Sequence, residues 1–421
     1  MKRAESILVC GGGVIGLATA YYLARSGQRV TVVERGSEDH DSCALGSAGF
    51  VSPSHVVPLA APGTFKLAMK WMLNRKSPFY VRPRPDPEFM RWGLLFRRAA
   101  TRERVRRSAP VLRDLMLLSR DLYEEMAAEL GNPFEYVRRG MVMLCKTPKA
   151  LEHEAQAAAL AGHLDIESRI LGPAELAALE PALRLDVHGG VYYPGDAHLT
   201  PSKLMETLTR ELKQLGVTFR WNTTVRGWRA RNGEVWAAFT SSGDIEADAF
   251  VLCGGAWSRQ MLDGMGVHMP LEAGKGYSLT LTEPPRLPSL SMICAEARVA
   301  VTPMGKTLRF GGTMELAGLD TRIRPERIQG IMESVPRYLP EFGPESFQGV
   351  RAWCGLRPLS PDGLPYIGAF RRYPNLVAAT GHAMLGVTLA PVTGKLVAEI
   401  LNGHQPSLDL EPLRPDRYAW F

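Results

Sequence analysis

The sequence predicts a mixed α/β chain, with a doubly wound, Rossmann-like nucleotide domain joined to an α+β substrate domain that carries a mixed or antiparallel sheet. Three observations carry this. Ile7-Leu8-Val9-Cys10-Gly11-Gly12-Gly13-Val14-Ile15-Gly16 is followed by Val30-Thr31-Val32-Val33-Glu34, the pattern of strand, glycine turn, helix and second strand ending in an acid. Val251-Leu252-Cys253-Gly254-Gly255-Ala256-Trp257-Ser258 runs again from a strand into glycines. Between Leu271 and Gly311, short segments alternate apolar and polar residues with the period of antiparallel strands.

In the opening unit each glycine has its own task. Gly11 permits a tight turn, Gly13 lets backbone approach a pyrophosphate, and Gly16 lets the helix pack closely on its strand. Free N–H groups at the helix start, around Val14 and Ile15, face the anion, and Glu34 accepts from both ribose hydroxyls. An adenine dinucleotide fits this pattern. A 2′-phosphate would be repelled by Glu34, an argument that the neighbouring Arg35 weakens slightly.

Beyond this unit, Cys43 to Val51 is a loop of small residues, and Pro53, Pro58 and Pro62 hold an irregular segment. Thr64 to Leu73, Glu88 to Arg98 and Glu103 to Leu130 have helical periodicity, with a proline-rich connector from Pro78 to Pro87. Short strands are expected at Phe134 to Val137 and Met141 to Cys145, then helices at Lys149 to Ala161 and Pro173 to Ala178. Gly190 to Tyr193 is a strand, and Thr200-Pro201 supplies a cap and first-turn pair for a helix to Leu215. Strands follow at Val217 to Trp221, Thr223 to Trp228, Val235 to Thr240 and Ile245 to Leu252, with Asn232-Gly233 as a hairpin turn. The Val251 to Ser258 turn reads equally as a second approach to the dinucleotide and as an ordinary turn. Pro325 to Tyr338 is helical, and Asn375 to Thr388 leads into a last helix reaching about Leu401, whose start offers another positive dipole end.

Composition narrows the class. With 421 residues the chain can bury a large core, and no apolar stretch reaches the length of a membrane span. Lys2 and Arg3 precede an apolar run that ends in the glycine turn and not in a cleavage site, so a cytoplasmic protein is expected. The six cysteines are scattered without metal or disulfide spacing. No metal site is expected. The net charge of +7 is concentrated between Arg97 and Arg107, a basic helical face that reads first as solvated and second as a contact for anionic lipid. No nucleic-acid module accompanies it.

Taken in order, the N-terminal fingerprint, Ser47-Ala48-Gly49 with Ser52-Pro53, Ala60-Ala61-Pro62-Gly63, Lys275-Gly276-Tyr277-Ser278-Leu279-Thr280, Gly355-Leu356-Arg357-Pro358 with Pro361-Asp362-Gly363, and Thr380-Gly381-His382 with Leu385-Gly386 resemble the FAD-dependent D-amino-acid dehydrogenases. These belong to the wider D-amino-acid oxidase, glycine oxidase and sarcosine oxidase superfamily. The resemblance covers nearly the whole chain. It implies an FAD domain assembled from residues 1–60, 186–265 and 350–421, and a substrate domain from 61–185 and 266–349 with a helical insertion.

It further implies that Gly11, Gly13, Val14, Ile15 and Gly16 hold the pyrophosphate and that Glu34 and Arg35 meet the adenosine. Val225, Cys253, Gly254, Gly255 and Trp257 would lie on that side. Ser47, Ala48 and Gly49 would line the isoalloxazine, with Gly381, Leu385, Gly386, Val387 and Thr388 toward its pyrimidine edge. Arg357 would clamp a substrate carboxylate through two parallel bonds, against the alternative of a structural salt bridge. Tyr277 reads equally as a further donor to that carboxylate and as a core aromatic. His382 reads as a flavin or substrate contact or as a satisfied local histidine, and His55 would help set substrate choice. Cys354 stands one position off the cysteine that binds flavin covalently in some relatives, so dissociable FAD is expected.

The implied reaction is oxidative deamination of a D-amino acid: hydride from Cα to flavin N5, then hydrolysis of the imino acid to a 2-oxo acid and ammonia. A quinone or another carrier would reoxidise the flavin. D-Proline or hydroxy-D-proline, or glycine and sarcosine, are the alternative substrates, and a non-catalytic flavin-binding subunit is the alternative from another class. No strong acid–base constellation is visible, so positioning is expected to supply most of the catalysis. The oligomeric state is not legible.

Overall fold

The computed structural model describes residues 4–64 and 76–419; apart from Thr64, the helix expected over Thr64 to Leu73 lies outside them. Six strands form the first sheet, in the order Tyr366–Ala369, Leu376–Thr380, Ala249–Leu252, Ser6–Cys10, Arg29–Val33 and Thr218–Arg220. All neighbours are parallel except Tyr366–Ala369, which runs antiparallel at the edge. Both faces of the central strands Leu376–Thr380 and Ala249–Leu252 are buried, as a covered parallel sheet requires, while the edge strand Thr218–Arg220 is largely exposed.

Alternation along the strands sends Ile7, Val9, Val30, Val32 and Val251 to one face, against the helices Val14–Arg25, Pro201–Gln214 and Ala390–Leu401. Leu8, Cys10, Val33, Phe250 and Leu252 point the other way. That second face is covered by sheet and not by helices: the antiparallel strands Val225–Arg231, Glu234–Thr240 and Gly243–Glu246 bring down Trp228, Val235 and Ala238. Asn232 and Gly233, at φ 54° and 79°, make the expected hairpin turn. The stretch Ile245 to Leu252 divides into two strands because the chain changes sheet at Ala247-Asp248. There Asp248 Oδ2 accepts from the Glu5 and Ser6 N–H groups at 3.1 and 2.8 Å.

The second sheet has nine strands and is mixed. Trp353–Leu359, Glu272–Leu281, Thr307–Leu316, Val299–Met304 and Ser291–Cys294 are antiparallel in that order. Met141–Cys145, Gly189–Tyr193 and Arg169–Leu171 extend it, and Phe79–Val81 pairs beside Thr307–Leu316. Gly189–Tyr193 and Trp353–Leu359 fall in segments expected for the nucleotide domain, but each is hydrogen-bonded into this sheet before the chain crosses back.

Phe134 to Val137 does not form a strand. Asn132 and Glu135 take φ values of 56° and 55°, and a single bridge joins Val137 to His198. The insertion helices Pro87–Ala99 and Arg102–Leu130 are capped by Asp86 and Thr101 side chains. Both brace the space between the sheets: Trp92 Nε1 donates to the Leu359 carbonyl at 2.9 Å, and Tyr123 Oη to the Val387 carbonyl at 2.6 Å. Thr200 does not cap its helix through its side chain, and its hydroxyl donates to Glu135.

Candidate active site

A cavity of about 1560 Å³ runs between the two sheets. A single small molecule needs roughly 300–1,000 Å³, so there is room for a dinucleotide and a substrate together.

At the nucleotide end, Gly11 has φ 122° and donates its N–H to the Val33 carbonyl at 2.8 Å. Any Cβ there would stand 2.4 Å from the Cys253 carbonyl oxygen. A Cβ on Gly16 would stand 1.9 Å from the Gly11 oxygen, so Gly16 belongs to the helix–strand contact and lies outside the cavity wall. Gly13, Val14 and Ile15 line the cavity where the helix starts with no side-chain cap, leaving N–H groups for an anion. A Cβ on Gly13 would meet only Ser42 Oγ, at 3.6 Å, so the space beside it is open. Gly13→Ala is therefore expected to leave the melting temperature nearly unchanged while raising the Kd for FAD roughly tenfold or more, about 1.4 kcal/mol, in a fluorescence titration of the apoprotein. Gly16→Ala should lose the fold.

The Glu34 carboxylate accepts from Gly12 N–H at 2.7 Å and Gly36 N–H at 2.9 Å, which fixes it in the wall with lone pairs to spare for hydroxyls. The Arg35 guanidinium lies 3.6 Å from the Trp257 ring centroid, and both residues line the cavity with Val225, Cys253, Gly254 and Gly255. An uncapped helix start over a glycine cradle and an acid tethered at the end of the second strand fit an adenine dinucleotide.

Further along, Ser47, Ala48 and Gly49 line the wall. Arg309 holds this loop from the second sheet: Nη1 donates to the Leu45 and Ser47 carbonyls, and Nε donates to Thr280 Oγ1 at 3.0 Å. Burial lowers its pKa to about 10. Leu385, Gly386, Val387 and Thr388 also line the cavity, just before the Ala390–Leu401 helix, and Thr388 Oγ1 ties them to the Phe50 carbonyl at 2.8 Å. Gly381 is not in the wall. Its φ of 78° and the Tyr366 ring, 2.7 Å from where a Cβ would sit, give it a packing role.

At the substrate end, Arg357 projects from Trp353–Leu359 across Gly276, where a Cβ would come 2.1 Å from Nη2. The strand register shifts between Lys275 and Tyr277, and in the extra residues of the facing strand Thr313 takes φ 68°, a strained value for a β-branched residue. Its carbonyl accepts from Arg357 Nη1 at 2.8 Å. No carboxylate among the described residues pairs with this guanidinium, and burial holds its pKa below the usual arginine value. A cation so placed calls for an anionic ligand.

The other expected substrate contacts are placed differently. Tyr277 borders the cavity, but its hydroxyl donates to Glu315 Oε2 at 2.6 Å. Strand alternation puts that hydroxyl on the face opposite Gly276 and Arg357, where Glu315 engages it. His382 lines the wall and is 2% exposed; its Nε2 pairs with Thr393 Oγ1 at 2.9 Å, its Nδ1 has no partner among the described residues, and burial lowers its pKa to about 3. His55 also lines the cavity, and its pKa is lowered to about 4, by burial first and the Arg298 charge second. Arg309, Thr313 and Asp196, which contacts Ser54, escaped sequence reasoning because their partners are remote in the chain.

The fold and this cavity are those of a nucleotide-binding α/β protein whose one chamber has room for a dinucleotide and a small anion. The chain belongs to the DAO family of FAD-dependent oxidoreductases, whose family model matches residues 6–400. It is 34% identical over 418 residues to the D-amino acid dehydrogenase of Granulibacter bethesdensis, covering 98% of this chain and 99% of that one. With the D-amino acid dehydrogenase of Methylobacterium nodulans it shares 35% over 422 residues, 98% and 99% of the two chains. Among solved structures, glycine oxidase from Geobacillus kaustophilus superposes with a TM-score of 0.79 at 22% identity over 99% of both chains. L-proline dehydrogenase from P. horikoshii gives 0.73 at 18%, over 100% of this chain and 99% of that one. At these identities the two structures establish the fold alone.

Proposed function

We propose that the protein is a D-amino-acid dehydrogenase that binds FAD without a covalent bond. The observation that carries the substrate class is Arg357, a guanidinium with no carboxylate partner among the described residues, held by the Thr313 carbonyl in the cavity wall. Relatives that match over the full chain and bear that name support the same reading. Bound FAD supplies the acceptor for the hydride that leaves Cα. Arg357 grips the α-carboxylate and thereby positions Cα. Gly276 leaves room for the grip, and Arg309 and Thr388 hold the two loops beside the ring in place. The nucleotide unit and the substrate unit divide where the sheets do, so that residues 189–193 and 353–359 go with the substrate unit.

Electrons leave to a quinone or similar carrier. Among the described residues no helix is long and apolar enough to cross a membrane. The protein acts in the cytoplasm, at the inner membrane face, where the arginines between Arg97 and Arg107 meet anionic headgroups; the exposed Met90 and Leu94 on the preceding helix favour this contact.

An anaerobic panel of D- and L-amino acids, proline derivatives and N-methylglycine tests the reading. Bleaching of the flavin by D-amino acids is expected, followed by faster reoxidation with a quinone in anionic vesicles than with oxygen. A flavin that no amino acid bleaches would refute it.

A further inference from the structure

At neutral pH the amino group of an amino acid is an ammonium, and its nitrogen lone pair must be freed before Cα can give up a hydride. One side chain of the cavity wall is built to take that proton. His55 lines the cavity, and its Nδ1 lies 3.2 Å from Ser54 Oγ. Ser54 Oγ in turn donates to Asp196 Oδ2 at 2.6 Å, while the Ser54 N–H donates to Asp196 Oδ1 at 3.1 Å. Asp196 is 1% exposed. The contact joins residues 142 apart in sequence, and the short ribbon of Phe50–Val51 against Ala197–His198 maintains it. Because the Ser54 proton is committed to the carboxylate, the imidazole must donate from Nδ1, which leaves Nε2 as an acceptor.

We infer that His55, Ser54 and Asp196 form a proton relay that takes the ammonium proton of the bound amino acid and stores it on the Asp196 carboxylate. This rests on the reading of the substrate as an amino acid. The substrate N–H bond breaks, directly or through one water, and the proton goes to His55 Nε2. The His55 Nδ1 proton passes to Ser54 Oγ as the Ser54 proton passes to Asp196 Oδ2. Histidine ends neutral in the opposite tautomer, serine ends neutral, and the carboxylate becomes an acid. The amine keeps its electron pair, which forms the C=N bond when hydride departs to FAD.

The surrounding charges suit this direction of travel. Arg298 faces His55 and disfavours an imidazolium, so the proton moves on. Burial raises Asp196 to about 7, opposed by the Ser54 hydrogen bonds and the Arg120 charge. Tyr193, which also interacts with Asp196, is itself raised by burial and stays neutral, and His198, two residues on, is lowered by burial to about 4 and stays neutral too.

The test is the rate of anaerobic flavin reduction between pH 5.5 and 10.5, with the D-amino acid that bleaches the flavin fastest in the panel above. For the unaltered protein the rate should climb through a midpoint near neutrality and level off. Ser54→Ala and Asp196→Asn should each slow reduction roughly 100-fold or more at pH 7. Their rates should then rise about tenfold per pH unit until the substrate amine ionises by itself, recovering to within a few-fold of the unaltered protein. Ser54→Thr, which keeps the hydroxyl, should restore the original profile. Flavin content reports folding; should Asp196→Asn lose it, Ser54→Ala decides, since the backbone tie to Asp196 survives. Variants that keep the unaltered pH profile, or that are slowed equally at every pH, overturn the relay alone. Absence of bleaching at any pH in the unaltered protein overturns the amino-acid reading and the relay with it.

Discussion

Arg357→Ala is expected to lower kcat/KM for D-amino acids roughly 30- to 5,000-fold while leaving one FAD per chain. Truncating one partner of a desolvated, hydrogen-bonded charge pair costs about 2–5 kcal/mol, much of it from stranding the other charge. The stranded group here is the substrate carboxylate, so the loss should appear mainly in KM, with a smaller fall in kcat from poorer positioning of Cα. Lysine at this position keeps the charge but not the planar fork, and should recover only part of the loss. A 2-oxo acid has the carboxylate without the amine. Its binding, followed through the flavin spectrum, should weaken in parallel. Unchanged KM and unchanged 2-oxo-acid binding would remove Arg357 from the substrate.

The nucleotide end was legible because its instructions are local. Gly16 and Glu34 do their work within one strand–helix–strand unit, Gly16 against Gly11 and Glu34 against Gly12. The substrate end is assembled from pieces 44 to 264 residues apart, and no periodicity reports such contacts. Arg357 entered through a family resemblance; the bulge at Thr313 that orients it has no signal in the sequence. Asp196 closes the turn after Pro194-Gly195, and its hold on Ser54 came only with the fold. Tyr277 is instructive in another way. In Gly274-Lys275-Gly276-Tyr277 a strand of period two puts Lys275 and Tyr277 together and the glycines opposite, so their separation was readable. Which face would border the cavity was not. The layer over Leu8 and Phe250 was hidden for the same reason, since alternation names a buried face without naming its cover.

The face that carries Lys275 and Tyr277 leads to the second large effect. Lys275 and Glu315 are both fully buried, at 0% exposure, with Nζ 3.6 Å from Oε1. Arg324 Nε reaches the same oxygen at 2.8 Å, Tyr277 donates to the other at 2.6 Å, and Lys275 Nζ donates to the Arg322 carbonyl at 2.9 Å. One carboxylate thus answers two cations and a phenol behind the strand over which Arg357 lies. Breaking a buried pair by removing one partner costs about 3–5 kcal/mol, because an uncompensated charge remains. With an unfolding entropy near 2 cal/mol/K per residue over 421 residues, Glu315→Ala should lower Tm by roughly 3–6 °C. Tyr277→Phe removes one hydrogen bond and should cost only about 1–2 kcal/mol, with kcat/KM within a few-fold of the unaltered protein. The pair of variants separates platform from pocket. If Tyr277→Phe instead lost activity out of proportion to its stability, the hydroxyl would have to turn toward the substrate, and the face assigned to it here would be wrong. If Glu315→Ala left Tm unchanged, the buried cations would have found solvent, and the knot would not support the sheet beneath Arg357.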